Sequence, residues 1–108
     1  HNRIISYITD CEYVSGEPND KLIQFVNKSD LLIHDSHFTV EDLLNHKGWG
    51  HSSWAQAVKM AQKSNSKQLA LYHYSPNYND KQIETIESDA KKAFNKTIAA
   101  KQGLVIYL

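Results

Sequence analysis

Two periods of apolar and polar positions alternate along this chain. Arg3 to Thr9 reads Arg-Ile-Ile-Ser-Tyr-Ile-Thr, a β-branched and aromatic run that predicts a strand, with Asp10 at its C-terminal end. Residues 11 to 19 hold Gly16 and Pro18 and predict a loop. Asp20 to Lys28 reads as a short helix with Leu22, Ile23, Phe25 and Val26 largely buried. Asp30 to Asp35 is a short apolar run, read as a buried strand that ends in His34 and Asp35. Thr39 followed by Asp42 fits a variant of the capping box, so a helix is expected from Val40 until Gly48 and Gly50 break it. Ser52 or Ser53 caps the next helix, which runs to about Ser64 with Trp54, Val58 and Ala61 on one face. Gln68 to His73 is a third strand, and it ends in a histidine. After the loop at Pro76 and Asn77, Asn79 or Asp80 opens a long helix to about Ile98. Its apolar positions Ile83, Ile86, Ala90, Phe94 and Ile98 follow the helical period. Gly103 marks a turn, and Leu104 to Leu108 reads as a last strand.

The predicted order is β-α-β-α-α-β-α-β, which implies a layered α/β domain. In such sheets, sites gather beyond the carboxyl ends of the strands. Asp10, Asp35 and His73 all fall at strand ends, and His51 falls at a helix start. That ordering makes these four the candidate polar cluster. Asp10 and His73 are suitable ligands for zinc or manganese.

Composition narrows the picture in a few ways. At 108 residues the chain has the length of one small domain. Lys plus Arg equals Asp plus Glu, so net charge is zero with histidine neutral. Nothing global draws this surface to nucleic acid, although a local basic patch is compatible with the count. Cys11 is the only cysteine, so no intrachain disulfide forms, which favours a reducing compartment, the cytoplasm. No apolar run approaches the roughly 20 residues that span a bilayer. Six histidines are unusual for this length: His1, His34, His37, His46, His51 and His73. Histidine is the commonest metal ligand and a frequent acid-base group.

Four segments resemble a known family. Tyr7-Ile8-Thr9-Asp10-Cys11-Glu12 resembles the segment of metallo-β-lactamase-fold phosphodiesterases in which a strand ends in a metal-bridging aspartate. Leu32-Ile33-His34-Asp35-Ser36-His37-Phe38 resembles their strand that ends in histidine and an acid. Gly48-Trp49-Gly50-His51-Ser52-Ser53-Trp54-Ala55-Gln56-Ala57 is similar to their glycine-histidine-serine motif and following helix. Leu69-Ala70-Leu71-Tyr72-His73-Tyr74-Ser75-Pro76 is similar to the strand that carries the last metal-binding histidine. The nearest branch is the ribonuclease Z-like and small cyclic-phosphodiesterase group. The resemblance covers about residues 3 to 80.

This resemblance implies a fold and a set of roles. The fold would be the C-terminal half of an αββα sandwich, with residues 1–108 forming a single half-domain of a longer metallohydrolase. Asp10 would bridge two metal ions, zinc or alternatively manganese, and His73 would bind one of them. His51, oriented and kept charged by Asp35, would protonate the leaving oxygen of a phosphodiester. The family acid at position 35 is commonly glutamate, so Asp35 is one methylene shorter. Cys11 stands where the family often has threonine. The family's histidine-rich metal motif belongs to the N-terminal half and has no counterpart here. His1 lies too close to the first strand to replace a missing ligand, and His37 and His46 read as substrate-side or surface residues. Two ligands do not close a zinc site. The chain alone is therefore expected to bind metal weakly, to catalyse little, and to need its N-terminal half or a second chain. A cut sheet with an exposed edge and apolar face is also expected to self-associate. Two other readings stay open: a non-enzymatic α/β interaction module, and a same-fold hydrolase acting on a lactam or thioester.

Overall fold

Each strand is too short to stand alone, and the chain solves this by pairing its strands in parallel. The computed structural model describes residues 2–108; His1 and any ligand role for it lie outside them. The strands are β1 (Ile5–Ile8), β2 (Leu31–Asp35), β3 (Leu69–Tyr72) and β4 (Thr97–Ala99). They form one sheet in the order β1-β2-β3-β4. Parallel neighbours need long crossovers, and the helices supply them. Helix α1 (Asp20–Phe25) joins β1 to β2, α2 (Val40–Leu44) and α3 (Trp54–Lys63) join β2 to β3, and α4 (Asp80–Ala93) joins β3 to β4.

The helix boundaries have local chemical causes. Ser53 and Gln56 form a reciprocal capping box that starts α3, with bonds of 3.2 and 3.1 Å. Asn79 and Gln82 do the same for α4, with both bonds at 2.8 Å. At α2 only half of the expected box forms. Thr39 Oγ1 accepts from the Asp42 N–H at 3.1 Å, while the Asp42 carboxylate instead accepts from the Tyr78 hydroxyl.

One face of the sheet carries the core. Ile8, Leu32, Leu69 and Leu71 pack against Val58, Ala61, Ile86 and Ala90 from α3 and α4. Leu32, Leu69 and Leu71 are completely buried, and each contributes about 1.5–3 kcal/mol by leaving water. The register places Tyr7 beside Ile33 and Ile33 beside Ala70 on the opposite face. There Ile5 and Tyr7 remain exposed.

The structure corrects three expectations. The last strand is Thr97–Ala99 and not Leu104 to Leu108. Helix α4 stops at Ala93 because Phe94 turns to extended backbone at φ −142°. The β-branched pair Thr97-Ile98 then occupies the free edge of β3, so residues 104–108 have no place beside it and Val105 and Tyr107 are exposed. Phe25 is also exposed where burial was expected, while Val26 beside it is fully buried. Helix α1 is only 6 residues long, so its inward side holds few residues. Among the described residues, no helix is long and apolar enough to cross a membrane.

Candidate functional site

Because all four strands run the same way, the residues that follow β1, β2 and β3 meet at one rim. Asp10 sits just past β1, Asp35 ends β2, and His73 follows β3. His51 approaches from the loop before α3. Asp10 and His73 both adopt left-handed backbone, with φ of 46° and 63°. For residues with a Cβ this costs about 1–3 kcal/mol and is tolerated where the surroundings fix it. The two bends turn both side chains towards His51. Asp10 Oδ1 lies 3.7 Å from His51 Nδ1 and 3.7 Å from His73 Nδ1.

Asp35 is the organising group. Its side chain is fully buried, and a buried carboxylate must be bonded to be tolerated. Three donors surround it: His51 Nδ1–H at 2.9 Å, the His37 N–H at 3.0 Å and the Cys11 N–H at 3.3 Å. The aspartate, one methylene shorter than glutamate, therefore still reaches His51. Because the carboxylate accepts at Nδ1, it leaves Nε2 of His51 as that ring's remaining functional atom.

His37 is the residue that sequence reasoning assigned to the substrate side or the surface. Here it joins the cluster. Its ring stacks on His51 with centroids 4.1 Å apart and planes 13° apart. Its Nδ1–H donates to the His73 carbonyl at 2.9 Å, and its own carbonyl accepts from the Ser75 N–H at 3.0 Å. It thus ties the end of β2 to the bend at His73. Burial is the main cause that lowers the His37 imidazole below its ordinary value, partly offset by that bond. The sequence signal was its spacing, two residues beyond a strand-end acid.

Other polar residues have supporting duties. His34 is fully buried. Its Nδ1–H donates to the Asp35 carbonyl at 2.8 Å, so its Nε2 accepts from the Tyr13 hydroxyl at 2.6 Å. Burial lowers its imidazole below the ordinary value and raises the Tyr13 hydroxyl. Cys11 offers backbone and not sulfur: burial raises its thiol, against thiolate formation. Glu12 was not singled out by sequence, yet its carboxylate accepts from the N–H of Gly48 at 2.8 and 3.0 Å and of Gly50 at 2.8 Å. Those two amides hold the Glu12 carboxyl below its usual range. No spacing rule links Glu12 to a glycine pair so far along the chain.

The donors fit a divalent ion. Asp35, His37, His51 and His73 each offer one ligand atom, all within 4.8 Å of one another. Within this group, Nδ1 of His51 and of His37 is engaged by hydrogen bonds, and Asp35 already accepts three. His73 Nδ1 differs: it is buried without a hydrogen-bond partner. An orphaned imidazole nitrogen with a carboxylate oxygen 3.7 Å away suits an ion bonded to each at about 2.0–2.2 Å. His73 Nδ1 is accordingly the buried donor of this group that has no hydrogen-bond partner, and Asp10, outside the group, brings its Oδ1 to 3.7 Å from it.

The beta-lactamase superfamily domain matches residues 1–74. A ribonuclease Z of Picrophilus torridus is 37% identical over 89 residues, covering 81% of this chain and 28% of that protein. A ribonuclease Z of Sulfurisphaera tokodaii is 43% identical over 83 residues, covering 77% of this chain and 27% of that protein. The chain thus spans little more than a quarter of the length of these relatives. Among solved structures, the metallo-beta-lactamase fold protein YhfI from Bacillus subtilis superposes with a TM-score of 0.71 at 24% identity, over 93% of this chain and 38% of that one. Human tRNase Z, short form, superposes with a TM-score of 0.62 at 23% identity, over 83% of this chain and 29% of that one. These two show the fold.

Proposed function

Because this chain belongs to the beta-lactamase superfamily domain family, we propose that its strand-end cluster is part of a two-metal phosphodiesterase site acting on RNA. The observation that carries this reading is the convergence of Asp10, Asp35, His51 and His73 at one rim, with the unpartnered His73 Nδ1 facing Asp10. The similarity to ribonuclease Z proteins supports RNA over a lactam or thioester.

In this reading Asp10 and His73 hold the metal, with zinc the first choice for a nitrogen-oxygen donor set and manganese the alternative. The metal, when bound, supplies Lewis-acid activation of water and charge neutralisation at phosphorus. His51 holds the proton that the leaving oxygen needs, at Nε2. Asp35 fixes the ring by its bond to Nδ1, and His37 fixes the ring's plane by stacking on it. The two bends at Asp10 and His73 pre-set the ligand directions, so little reorganisation is needed on binding. Two ligands leave a catalytic zinc short of the usual three. Residues 1–108 therefore act as one half-domain whose remaining ligands come from a longer chain or from a second one, and alone they bind metal weakly. The same partner would cover the exposed Ile5 and Tyr7, which otherwise favour self-association. A reducing compartment, the cytoplasm, suits the unpaired Cys11.

The decisive experiment uses the complete enzyme. Asp10→Ala should lower metal content, measured by mass spectrometry, and abolish hydrolysis. His51→Ala should keep the metal and slow diesters with poor leaving groups more than those with good ones. Equal losses across leaving groups would remove the proton-donor role. A complete wild-type protein that retains no zinc or manganese would end the hydrolase reading and leave an interaction module.

A further inference from the structure

An exposed aromatic ring held on a rigid support stands beside the cluster. We propose that the Trp49 indole is a stacking platform for a nucleobase of the RNA whose scissile phosphodiester lies at His51. This deepens the phosphodiesterase reading and rests on it.

The indole is 65% exposed. An apolar side chain in water ordinarily stays mobile, because ordering it costs entropy and no burial offsets the cost. Here the support is nonetheless fixed from both sides. The residues before and after Trp49 are Gly48 and Gly50, at φ of 89° and 85°, and the carboxylate of Glu12 binds both of their amides. Charge-assisted bonds of this kind are about twice as strong as neutral ones. The indole meets the His46 ring edge-on at 4.6 Å and 90°. His46 in turn lies flat on Phe38 at 4.7 Å and 17°, and its Nδ1–H donates to the Asp42 carbonyl at 2.6 Å. Phe38 is buried, at 3% exposure. The ring thus ends a chain of packed side chains that begins in the interior, and most of its surface still faces water.

The platform is close to the chemistry. Trp49 precedes His51 by two residues, and both rings pack on Phe38, at centroid distances of 6.5 and 6.1 Å. The two rings thus neighbour the same buried side chain, which places the indole beside the residue that serves the scissile phosphate. The chemistry favours a base in particular. Every base has an open π-face in a single strand, and proteins read unpaired RNA by stacking on such rings. The chain's net charge is zero, and stacking is a contact that does not depend on charge.

The test uses the complete, metal-loaded enzyme and a short single-stranded RNA. The same RNA is also made with an abasic nucleotide on one side or the other of the scissile phosphate. Trp49→Ala should raise KM about tenfold on the base-bearing RNA, in line with the stacking contribution of one base. It should leave kcat within about twofold, since the indole touches no reacting atom. One of the two abasic positions should cost the wild-type enzyme about the same, and the two changes together should cost no more than either. Trp49→Phe should recover most of the loss. An unchanged KM in Trp49→Ala, or losses that multiply with those of both abasic substrates, would overturn the platform. If the wild-type enzyme cleaves none of these RNAs, the hydrolase reading is at fault and fluorescence still decides the platform. Quenching of tryptophan emission by the RNA that disappears in Trp49→Phe, which keeps Trp54, upholds it. Absence of quenching in the wild-type protein refutes it.

Discussion

Replacing Asp35 with alanine tests the centre of the site most directly. The change removes a fully buried carboxylate and leaves the donors of His51, His37 and Cys11 without their acceptor. A hydrogen bond to a charged group contributes about 1.5–3 kcal/mol. Three such bonds do not add, for two reasons. The Cys11 bond is long at 3.3 Å and is worth least. The carboxylate also carried a desolvation cost that its removal returns. Balancing these gives a net loss of about 3 kcal/mol, in the range seen when one partner of a buried charged pair is removed. Urea unfolding followed by circular dichroism measures it. With a slope of about 1.5 kcal/mol/M the midpoint should fall by about 2 M. Asp35→Asn keeps one acceptor oxygen and should lose roughly half as much. A double-mutant cycle with His51→Ala should return a coupling of about 1.5–3 kcal/mol. A loss under about 1 kcal/mol for Asp35→Ala, together with a coupling near zero, would mean that desolvation cancels the three bonds. Asp35 would then not be what orients His51.

Two further outcomes follow from the same geometry. Burial lowers the His34 imidazole, so the unfolded chain takes up a proton more readily than the folded one. Stability is therefore full above the unfolded value of about 6.5 and is lost as pH falls through it towards the lower folded value. Urea midpoints between pH 8 and 5 should show this decline, and it should be shallower in His34→Gln; an identical slope in the variant would refute it. Gly50 has φ of 85° and open space where a Cβ would go, so Gly50→Ala should cost only the left-handed strain, about 1–2 kcal/mol. A larger loss by calorimetry would point to a steric role instead.

Much of this arrangement was readable from residue order. Strand-end positions for Asp10, Asp35 and His73 follow from apolar runs that stop at polar residues, and parallel pairing then brings those ends together. The caps were legible to within one residue, as Ser52 or Ser53 and as Asn79 or Asp80, because a cap is a local contact; the structure uses Ser53 and Asn79. What escaped were features set by distant partners. Leu104 to Leu108 has the composition of a strand, but the edge it needed was taken by Thr97–Ala99. Phe94 and Ile98 keep the helical period beyond the point where α4 ends. His37 carries a spacing signal two residues past a strand-end acid, but its place in the cluster is fixed only when β3 arrives to offer the His73 carbonyl. The clasp of Glu12 on Gly48 and Gly50 joins segments that no periodicity connects.

The parallel order of the strands has one more consequence. Asp10, Asp35 and His73 are each delivered by a separate strand-helix unit, so no short peptide cut from this chain contains the cluster. The donor set comes into being only when β1, β2 and β3 have paired, and an ion that prefers the assembled set must in turn hold those strands together. Metal affinity thereby becomes a gauge of tertiary order. A core change such as Leu32→Ala, which touches none of the donors, should loosen the ion by loosening the frame that aligns them.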